Sequence, residues 1–460
     1  MIPTATVTLT VAAHGLLRGH LFPGDGKEAA GVLLCSRTPG PRLRLLVREV
    51  LLVPHNECIR RTEHSLTWPG RCIEAAIDAA ESEGLTLILV HSHPSGYPDF
   101  STTDDDSDKA IMPCIFEALG DIHGSAVMLP DGSMFARIYH QPGGACPVDL
   151  VSMADGDLHF WWRDKTDRTL RPMAFTSDMT AELSMLTACV IGVSGTGSIM
   201  AEQACRLGFG RVFGIDHDHV EHKNLNRILN TDLADANARR AKVDAFSDRA
   251  NKYRSSDYFT PIEGNLFSRK AVLAAAQADV IYCCVDTHRG RMLADRLAAS
   301  FLLPLFDVGV GIPTRQNGTG LAIAEVTGRI DYVRPGGASL ADRGVYTPAT
   351  LQAEALAESD TNAHAAQVGA GYIEGVPEQA PSVITLNMRA ASACMMEFIA
   401  RAYPFRHEKN SDYARTRFML AEGLEEYQSE ISFPYKESPL LARGSVEPLL
   451  GLPSLGPEET

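Results

Sequence analysis

No other part of the chain constrains the fold as much as the stretch from Ala188 to Arg227. An apolar run at 188–191 predicts a short buried strand. A glycine turn follows at Gly192, Gly195 and Gly197, then a helix with apolar residues at helical spacing, Ile199, Ala204 and Leu207. A second apolar strand at 211–215 ends at Asp216. A strand that feeds a glycine turn and a helix N-terminus offers free backbone N–H groups and the positive end of a helix dipole to an anion. An acid closing the next strand stands where ribose hydroxyls need an acceptor. The stretch therefore predicts an α/β nucleotide-binding unit. Ser194 stands where a dinucleotide dehydrogenase has its second glycine, so the glycines alone leave a plain dehydrogenase open.

The polar residues downstream answer to a different chemistry. Asn224 and Arg227 in HKNLNR, Lys242 in RRAKVD and Asp286 in YCCVDTHRGR are groups that a dehydrogenase does not need. With Asp216 and Asp218 they resemble the ThiF/MoeB-like family, the adenylating fold of ubiquitin-activating enzymes. There an Asp-x-Asp ends the second strand, Asn-Leu-x-Arg and a lysine follow, and a Cys-x-Asp closes a later strand. Cys284-Val285-Asp286 fits that last element, with Arg291 at the family's spacing beyond it. The resemblance runs over about residues 168–403 and implies a Rossmann-like, doubly wound adenylation domain. By it, Gly192, Gly195 and Gly197 receive ATP, Asp216 takes the ribose, Asn224 orients the phosphate chain, Arg227 and Lys242 neutralise it, and Asp286 holds magnesium.

Composition narrows the partners. A net charge of −15 argues against nonspecific nucleic-acid binding, which needs basic clusters. No apolar run reaches the length of a membrane span, and the N-terminus lacks a signal-peptide pattern. Ten cysteines without framework spacing, many in apolar runs, read as reduced thiols of a cytoplasmic protein.

Residues 1–145 alternate strand and helix patterns. A buried strand at 85–90 runs into His91-Ser92-His93-Pro94, a loop follows to Asp104, and 106–119 reads as a helix. Residues i and i+2 of a strand face the same way, so His91 and His93 can grip one cation, with Asp104 on the loop as a third ligand. Three N/O ligands leave a zinc tetrahedron one open position, the catalytic arrangement. The run HSHPSGYPDFSTTD matches His-x-His-Pro-x6-Ser-x-x-Asp and resembles the JAB/MPN (JAMM) zinc metalloprotease family. That family also needs a glutamate on an early strand, before a Gly and an apolar run, and Glu28 in Glu28-Ala29-Ala30-Gly31-Val32-Leu33-Leu34 supplies it. The resemblance covers about residues 10–140. It implies that Glu28 is the general base for the attacking water, that Ser101 helps hold the oxyanion, and that the bond cut lies after a ubiquitin-like tail.

Residues 146–180 read as a connector, whose aromatic run 158–162 is expected to pack the two domains together. Its Arg168-Thr169-Leu170-Arg171 has the Arg-x-x-Arg spacing of ThiF/MoeB relatives, in which the second arginine reaches the nucleotide of a dimer partner. By that resemblance Arg171 is an ATP-binding residue and the chain a homodimer; a solvated charged face is the alternative. The adenylation domain is expected over 181–403. It has helices at 232–251, 271–277, 289–301 and 382–403, strands at 280–285, 303–310, 321–326 and 329–333, and an alanine-rich helical arm at 347–369. Residues 404–460 are expected as a tail with a short helix near 413–428, docked through 449–452.

The combination implies a bifunctional enzyme acting on a ubiquitin-like protein. The metalloprotease processes the protein's C-terminus, and the adenylating half activates the free carboxylate. The pattern departs from the family in one respect. No Cys-x-x-Cys pair follows Arg334-Pro335-Gly336-Gly337, and the only cysteine beyond Asp286 is Cys394, in an apolar helix. Activation without a self-thioester is expected, with transfer to a separate carrier or a small nucleophile or, less readily, to a serine such as Ser339. Sulfur-carrier activation in cofactor biosynthesis, or a binding module with one inactive half, are the alternatives.

Overall fold

The computed structural model describes residues 2–457 except 39, 121, 142–143, 166, 254–257, 319 and 361–382. The first half of the chain runs β1 (Ala5–Leu9), α1 (Val11–Leu21), β2 (Ala30–Thr38), β3 (Leu43–Leu52) and a small hairpin of β4 (Arg60–Arg61) and β5 (Leu66–Thr67). It continues with α2 (Arg71–Glu81), β6 (Thr86–Ser92), α3 (Thr102–Leu119), β7 (Ile122–Met128), β8 (Met134–His140), β9 (Ala145–Pro147), β10 (Leu150–Ala154) and β11 (Leu158–Trp162). All but the hairpin join one nine-stranded sheet ordered β11-β10-β1-β3-β2-β6-β7-β8-β9. One apolar core lies under α1 (Leu9, Leu17, Leu33, Val90), and another under α2 and α3 (Val32, Leu87, Met112, Ile115).

The first part of the expected connector is therefore built into the sheet. β10 adds parallel to β1 and β11 antiparallel to β10. Successive side chains of a strand point to opposite faces, so Trp161 packs into the first domain's core and Trp162 into the second's. The aromatic run joins the domains, as its composition predicts.

The second half contains α4 (Ser177–Leu183), β12 (Thr187–Ile191), α5 (Gly195–Leu207), β13 (Arg211–Asp216), α6 (Leu233–Ala238), α7 (Lys242–Ala250), β14 (Phe259–Glu263), α8 (Arg269–Ala275) and β15 (Val280–Cys283). Then come α9 (His288–Ser300), β16 (Leu305–Gly311), β17 (Thr314–Asn317), β18 (Gly320–Ile323), β19 (Thr327–Val333), α10 (Pro348–Ser359), α11 (Ile384–Ala402), β20 (Arg415–Met419) and β21 (Leu424–Gln428). The sheet order is β14-β13-β12-β15-β16-β19-β20-β21, and its first five strands are parallel. The order in which strands are added reverses between β12 and β15, which is the switch point where such sheets bind ligands. The α/β, Rossmann-like expectation holds.

Several element boundaries differ from the sequence reading. Asp232–Asn251 is two helices, because Arg239 turns left-handed (φ 49°) between them. The segment at 321–326 does not continue the sheet; β17 and β18 form a separate hairpin. The helix expected near 413–428 is a 3-10 turn (Asn410–Tyr413) followed by β20 and β21. Thr416 and Phe418 point inward from β20 while Arg417 faces solvent, the two-residue period of a strand. The arm is helical to Ser359, and the rest of its expected span, 361–369, lies outside the described residues.

The two domains are tied directly. Arg42 makes a two-pronged ion pair with Asp279, and buried Arg44 donates to the carbonyls of Ala276 (2.6 Å) and Phe301 (3.3 Å). The C-terminal segment crosses both. Ser36 Oγ donates to Ala442 O, Gly444 N to Ser300 O and Ser445 N to Arg37 O. Leu449, Leu450 and Leu455 are buried in the second domain's core, so the docking expected at 449–452 is present. Among the described residues no helix is long and apolar enough to cross a membrane.

Candidate functional site

The first site forms where β6 ends. Its apolar residues fix the strand between β2 and β7, with Ala30 opposite His91. Ser92 is inward and its hydroxyl accepts Ala29 N, while His93 N donates to Met128 O, so His91 and His93 leave the sheet side by side. Their Nε2 atoms are 3.0 Å apart. His93 Nδ1 donates to the Tyr97 carbonyl at 2.9 Å, which leaves its Nε2 bare and aimed at the site.

Asp104 stands on the first turn of α3 and not on a loop. Ser101 caps that helix four residues earlier than the apolar pattern suggests, through a capping box in which Ser101 and Asp104 bind each other's backbone N–H. Asp104 Oδ1 lies 3.1 Å from His91 Nε2, and Oδ2 lies 3.5 Å from His93 Nε2. Ligands about 2.0–2.2 Å from a tetrahedral zinc sit about 3.3–3.5 Å from one another. The three separations, 3.0, 3.1 and 3.5 Å, come within about 0.3 Å of such a set, and the donors suit zinc chemically. Burial works against ionising Asp104, but the two imidazoles and Ser101 N outweigh it and hold its carboxyl well below the usual range. Burial likewise opposes protonating His93, yet Asp104 and the Tyr97 carbonyl keep its pKa above the ordinary value.

Glu28 is not on the strand as expected but stands just before β2, its backbone N–H held by Thr62 O. Burial raises its carboxyl pKa, opposed by His91 and His93. Ser101 is beside the ligands, but its hydroxyl proton points at Asp104 Oδ2 (2.7 Å), so an oxyanion role requires that hydroxyl to turn. Sequence reasoning missed the Tyr97 carbonyl; only its place in the folded loop singles it out.

The second group gathers at the carboxyl ends of β12, β13 and β15. Gly192 adopts φ +83°, and a Cβ on Gly197 would collide with the Gly192 carbonyl, so the chain can turn this tightly into α5 only with glycine. A Cβ on Gly195 would strike Asn387 Nδ2, and it is Arg227's aliphatic stem that lies over this glycine. Buried Asp216 accepts Val193 N at 2.7 Å and Asp218 N at 2.9 Å, tying the first two strand ends together. Burial raises its pKa. Lys242 opens α7, buried, with Nζ 2.7 Å from Asp218 Oδ2. Asn224, also buried, accepts Glu221 N and fixes the turn before Arg227. Arg227 itself donates to Lys223 O (3.0 Å).

Asp286 is exposed just beyond β15, in a loop whose Cys284 carbonyl abuts Gly192. An exposed carboxylate near a nucleotide turn suits magnesium, which binds through one or two carboxylates plus phosphate oxygens. Asp216, His217 and Asp218 are also close enough to share a cation. Behind Asp286, Arg291 and Arg329 converge on buried Asp307, in the space left by Gly309. Arg329 was missed because only the pairing of β16 with β19 sets it opposite Gly309.

Arg171 is not brought to its own glycine turn. It donates to Asp157 (3.3 Å), to Arg401 O (3.3 Å) and to His159 (2.9 Å). Arg401 and Asn387 are at opposite ends of α11, roughly 20 Å apart at 1.5 Å per residue. Ser339 donates to Asp342 Oδ2 at 2.8 Å, capping its own turn. Cys394 is fully buried and burial pushes its thiol well up.

Comparison with known proteins assigns a family to each half of the chain. The family model described as prokaryotic homologs of the JAB domain matches residues 11–139, and that of the ThiF family matches 166–324. Ubiquitin-like modifier-activating enzyme 5 of Aedes aegypti is 28% identical over 162 residues, 33% of this chain and 37% of that protein. The enzyme of the same name from Bombyx mori is 28% identical over 160 residues, 33% of this chain and 37% of that one. The chain thus spans little more than a third of the length of these relatives. Among solved structures, E. coli MccB with ATP aligns over 58% of this chain and 68% of its own, at 14% identity and a TM-score of 0.41. The polypeptide joins a domain of the prokaryotic JAB type, over residues 11–139, to a domain of the ThiF family, over residues 166–324.

Proposed function

We propose that this chain is a two-site enzyme of a prokaryotic ubiquitin-like modifier pathway: a zinc-dependent peptidase that trims or releases the modifier's C-terminus, and an ATP-dependent adenylyltransferase that activates it. The observation that carries the reading is that each domain gathers a cluster of chemically suited groups at one place. His91, His93 and Asp104 meet within 4.8 Å beside Glu28, and the glycine turn, Asp216, Lys242 and Asp286 meet at the sheet's switch point.

In the peptidase half, His91, His93 and Asp104 would hold zinc, which supplies a Lewis acid and makes water acidic enough to attack near neutral pH. Glu28 takes the attacking water's proton and returns it to the leaving amine. Its raised pKa suits it to move a proton in both directions. Ser101 lies where a turned hydroxyl can face the developing oxyanion.

In the other half, the modifier's terminal carboxylate attacks the α-phosphorus of ATP and pyrophosphate leaves. The work is positioning and charge neutralisation. The first N–H groups of α5 face the phosphates, Asp216 holds the ribose, Asn224 keeps the Arg227 turn in place, and Asp286 would hold magnesium. Lys242 must exchange Asp218 for phosphate. A homodimer would bring Arg171 to a partner's nucleotide only if its ties to Asp157 and His159 were released. With Cys394 buried, the adenylate passes to a separate carrier or a small nucleophile.

The test uses the full chain and a ubiquitin-like protein carrying a C-terminal extension. Cleavage is expected to stop on chelation and in Glu28→Ala, and pyrophosphate exchange with the trimmed protein to stop in Asp286→Ala. Zinc retained in full by a His91→Ala, His93→Ala double variant removes the peptidase reading. NAD binding with no ATP binding removes the adenylation reading.

A further inference from the structure

The loop from His93 to Ser101 carries the second histidine and delivers α3 with Asp104, so its shape sets the shape of the metal set. Its centre is Tyr97-Pro98. Proline has no N–H and a fixed φ, so this pair is a stiff unit held through carbonyls. The Tyr97 carbonyl accepts His93 Nδ1 at 2.9 Å. The next carbonyl, Pro98 O, accepts Arg168 Nη1 at 3.1 Å. Arg168 is buried, with its guanidinium 4.3 Å over the ring of Phe135. That ring meets Phe100, from the far end of the same loop, edge-on at 5.2 Å. Arg168 thus holds the loop directly at Pro98 and, through the Phe135 ring, at Phe100. Arg168 does not come from the JAB-type domain: it lies within the residues matched to the ThiF family.

We infer that Arg168 is a positioning residue for the metal site, and that the peptidase half is completed by the first residues of the adenylating half. Arg168 fixes Pro98, Pro98 fixes the Tyr97 carbonyl, and that carbonyl sets the tautomer and ring direction of His93. Partners that orient a metal's histidine typically change affinity 10–100-fold when lost. The effect here acts through two intervening residues, Pro98 and Tyr97, and belongs at the lower end, about tenfold. This rests on reading His91, His93 and Asp104 as a zinc site.

The experiment measures zinc affinity of the full chain by competition with a chromophoric chelator, and the visible spectrum of the cobalt-substituted protein. Arg168→Met, which keeps an apolar stem over Phe135, is expected to weaken zinc binding about tenfold and alter the cobalt bands. The metal-free melting temperature should stay near that of the parent. Arg168→Gln, too short to reach Pro98, is expected to do the same and carries the test if the first variant does not fold. Arg168→Lys, which retains a donor, is expected to recover most of the affinity. Unchanged zinc affinity and cobalt spectrum in the Met or Gln variant overturns the inference. Failure of the parent chain to bind zinc through His91 and His93 overturns the metal site itself, a separate result.

Discussion

Glu28 and Asp104 share one pocket, yet their surroundings drive their carboxyls apart. Burial dominates at Glu28 and favours its proton, whereas two imidazoles and a helix cap keep Asp104 ionised. Two carboxyls pushed in opposite directions divide into a proton carrier and a ligand. Glu28→Gln should therefore retain a full zinc equivalent by metal analysis while cleavage falls about 10²–10⁴-fold, the usual share of a general base. Gly197 gives a second test at this scale. Any side chain there meets the Gly192 carbonyl, so Gly197→Ala should cost about 1–3 kcal/mol in a denaturant titration, as overpacking does. The same variant should lose ATP binding while keeping zinc.

At the scale of elements, α9 is locked to the turn after β19 through Asp295, which accepts Leu340 N at 3.1 Å and the Tyr346 hydroxyl at 2.8 Å. Burial raises the Asp295 pKa to about 6. An acid with a raised folded pKa stabilises the fold most below its unfolded pKa, and that benefit is lost as pH rises to the folded value. Relative to non-titrating Asp295→Asn, the parent should lose about 3 kcal/mol between roughly pH 4 and pH 6 and then level off, at about 1.4 kcal/mol per unit. Urea midpoints across that range check it.

The elements also show what could be read from the sequence. His91, His93 and Asp104 were legible because metal chemistry fixes both residue type and strand period. The helix that carries Asp104 was misplaced because Ser101-x-x-Asp104, a ligand spacing, is at the same time a capping box. Strands β10 and β11 were hidden because both their faces are buried, each by a different domain, so no polar alternation marks them. β20 and β21 were taken for a helix because the inward residues of β20, Thr416 and Phe418, stand among charges. Arg171's partners, at 157, 159 and 401, are brought together only by the fold.

Across the whole molecule, the ties at Arg42, Arg44 and the 442–455 segment make the domains one mechanical body. Burial, with Arg42 beside it, lowers the Arg44 pKa to about 9, and the carbonyls of Ala276 and Phe301 take up its guanidinium N–H groups. Leu449 and Leu450 anchor the crossing segment, and replacing both with alanine should cost several kcal/mol, at about 2–5 kcal/mol for each buried leucine. Calorimetry should then resolve two transitions where the parent shows one, and limited proteolysis should cut the freed segment first. The back-to-back tryptophans of β11 have an optical consequence. Trp161 stacks near His14 (5.2 Å) in one core, while its neighbour Trp162 looks into the other. The chain has three tryptophans in all, so with Trp68 replaced, Trp161→Phe and Trp162→Phe each leave a single tryptophan, selectively excited at the red edge of absorption, one reporting on each half. Emission from these two proteins would show directly whether a ligand at one end of the molecule is felt at the other.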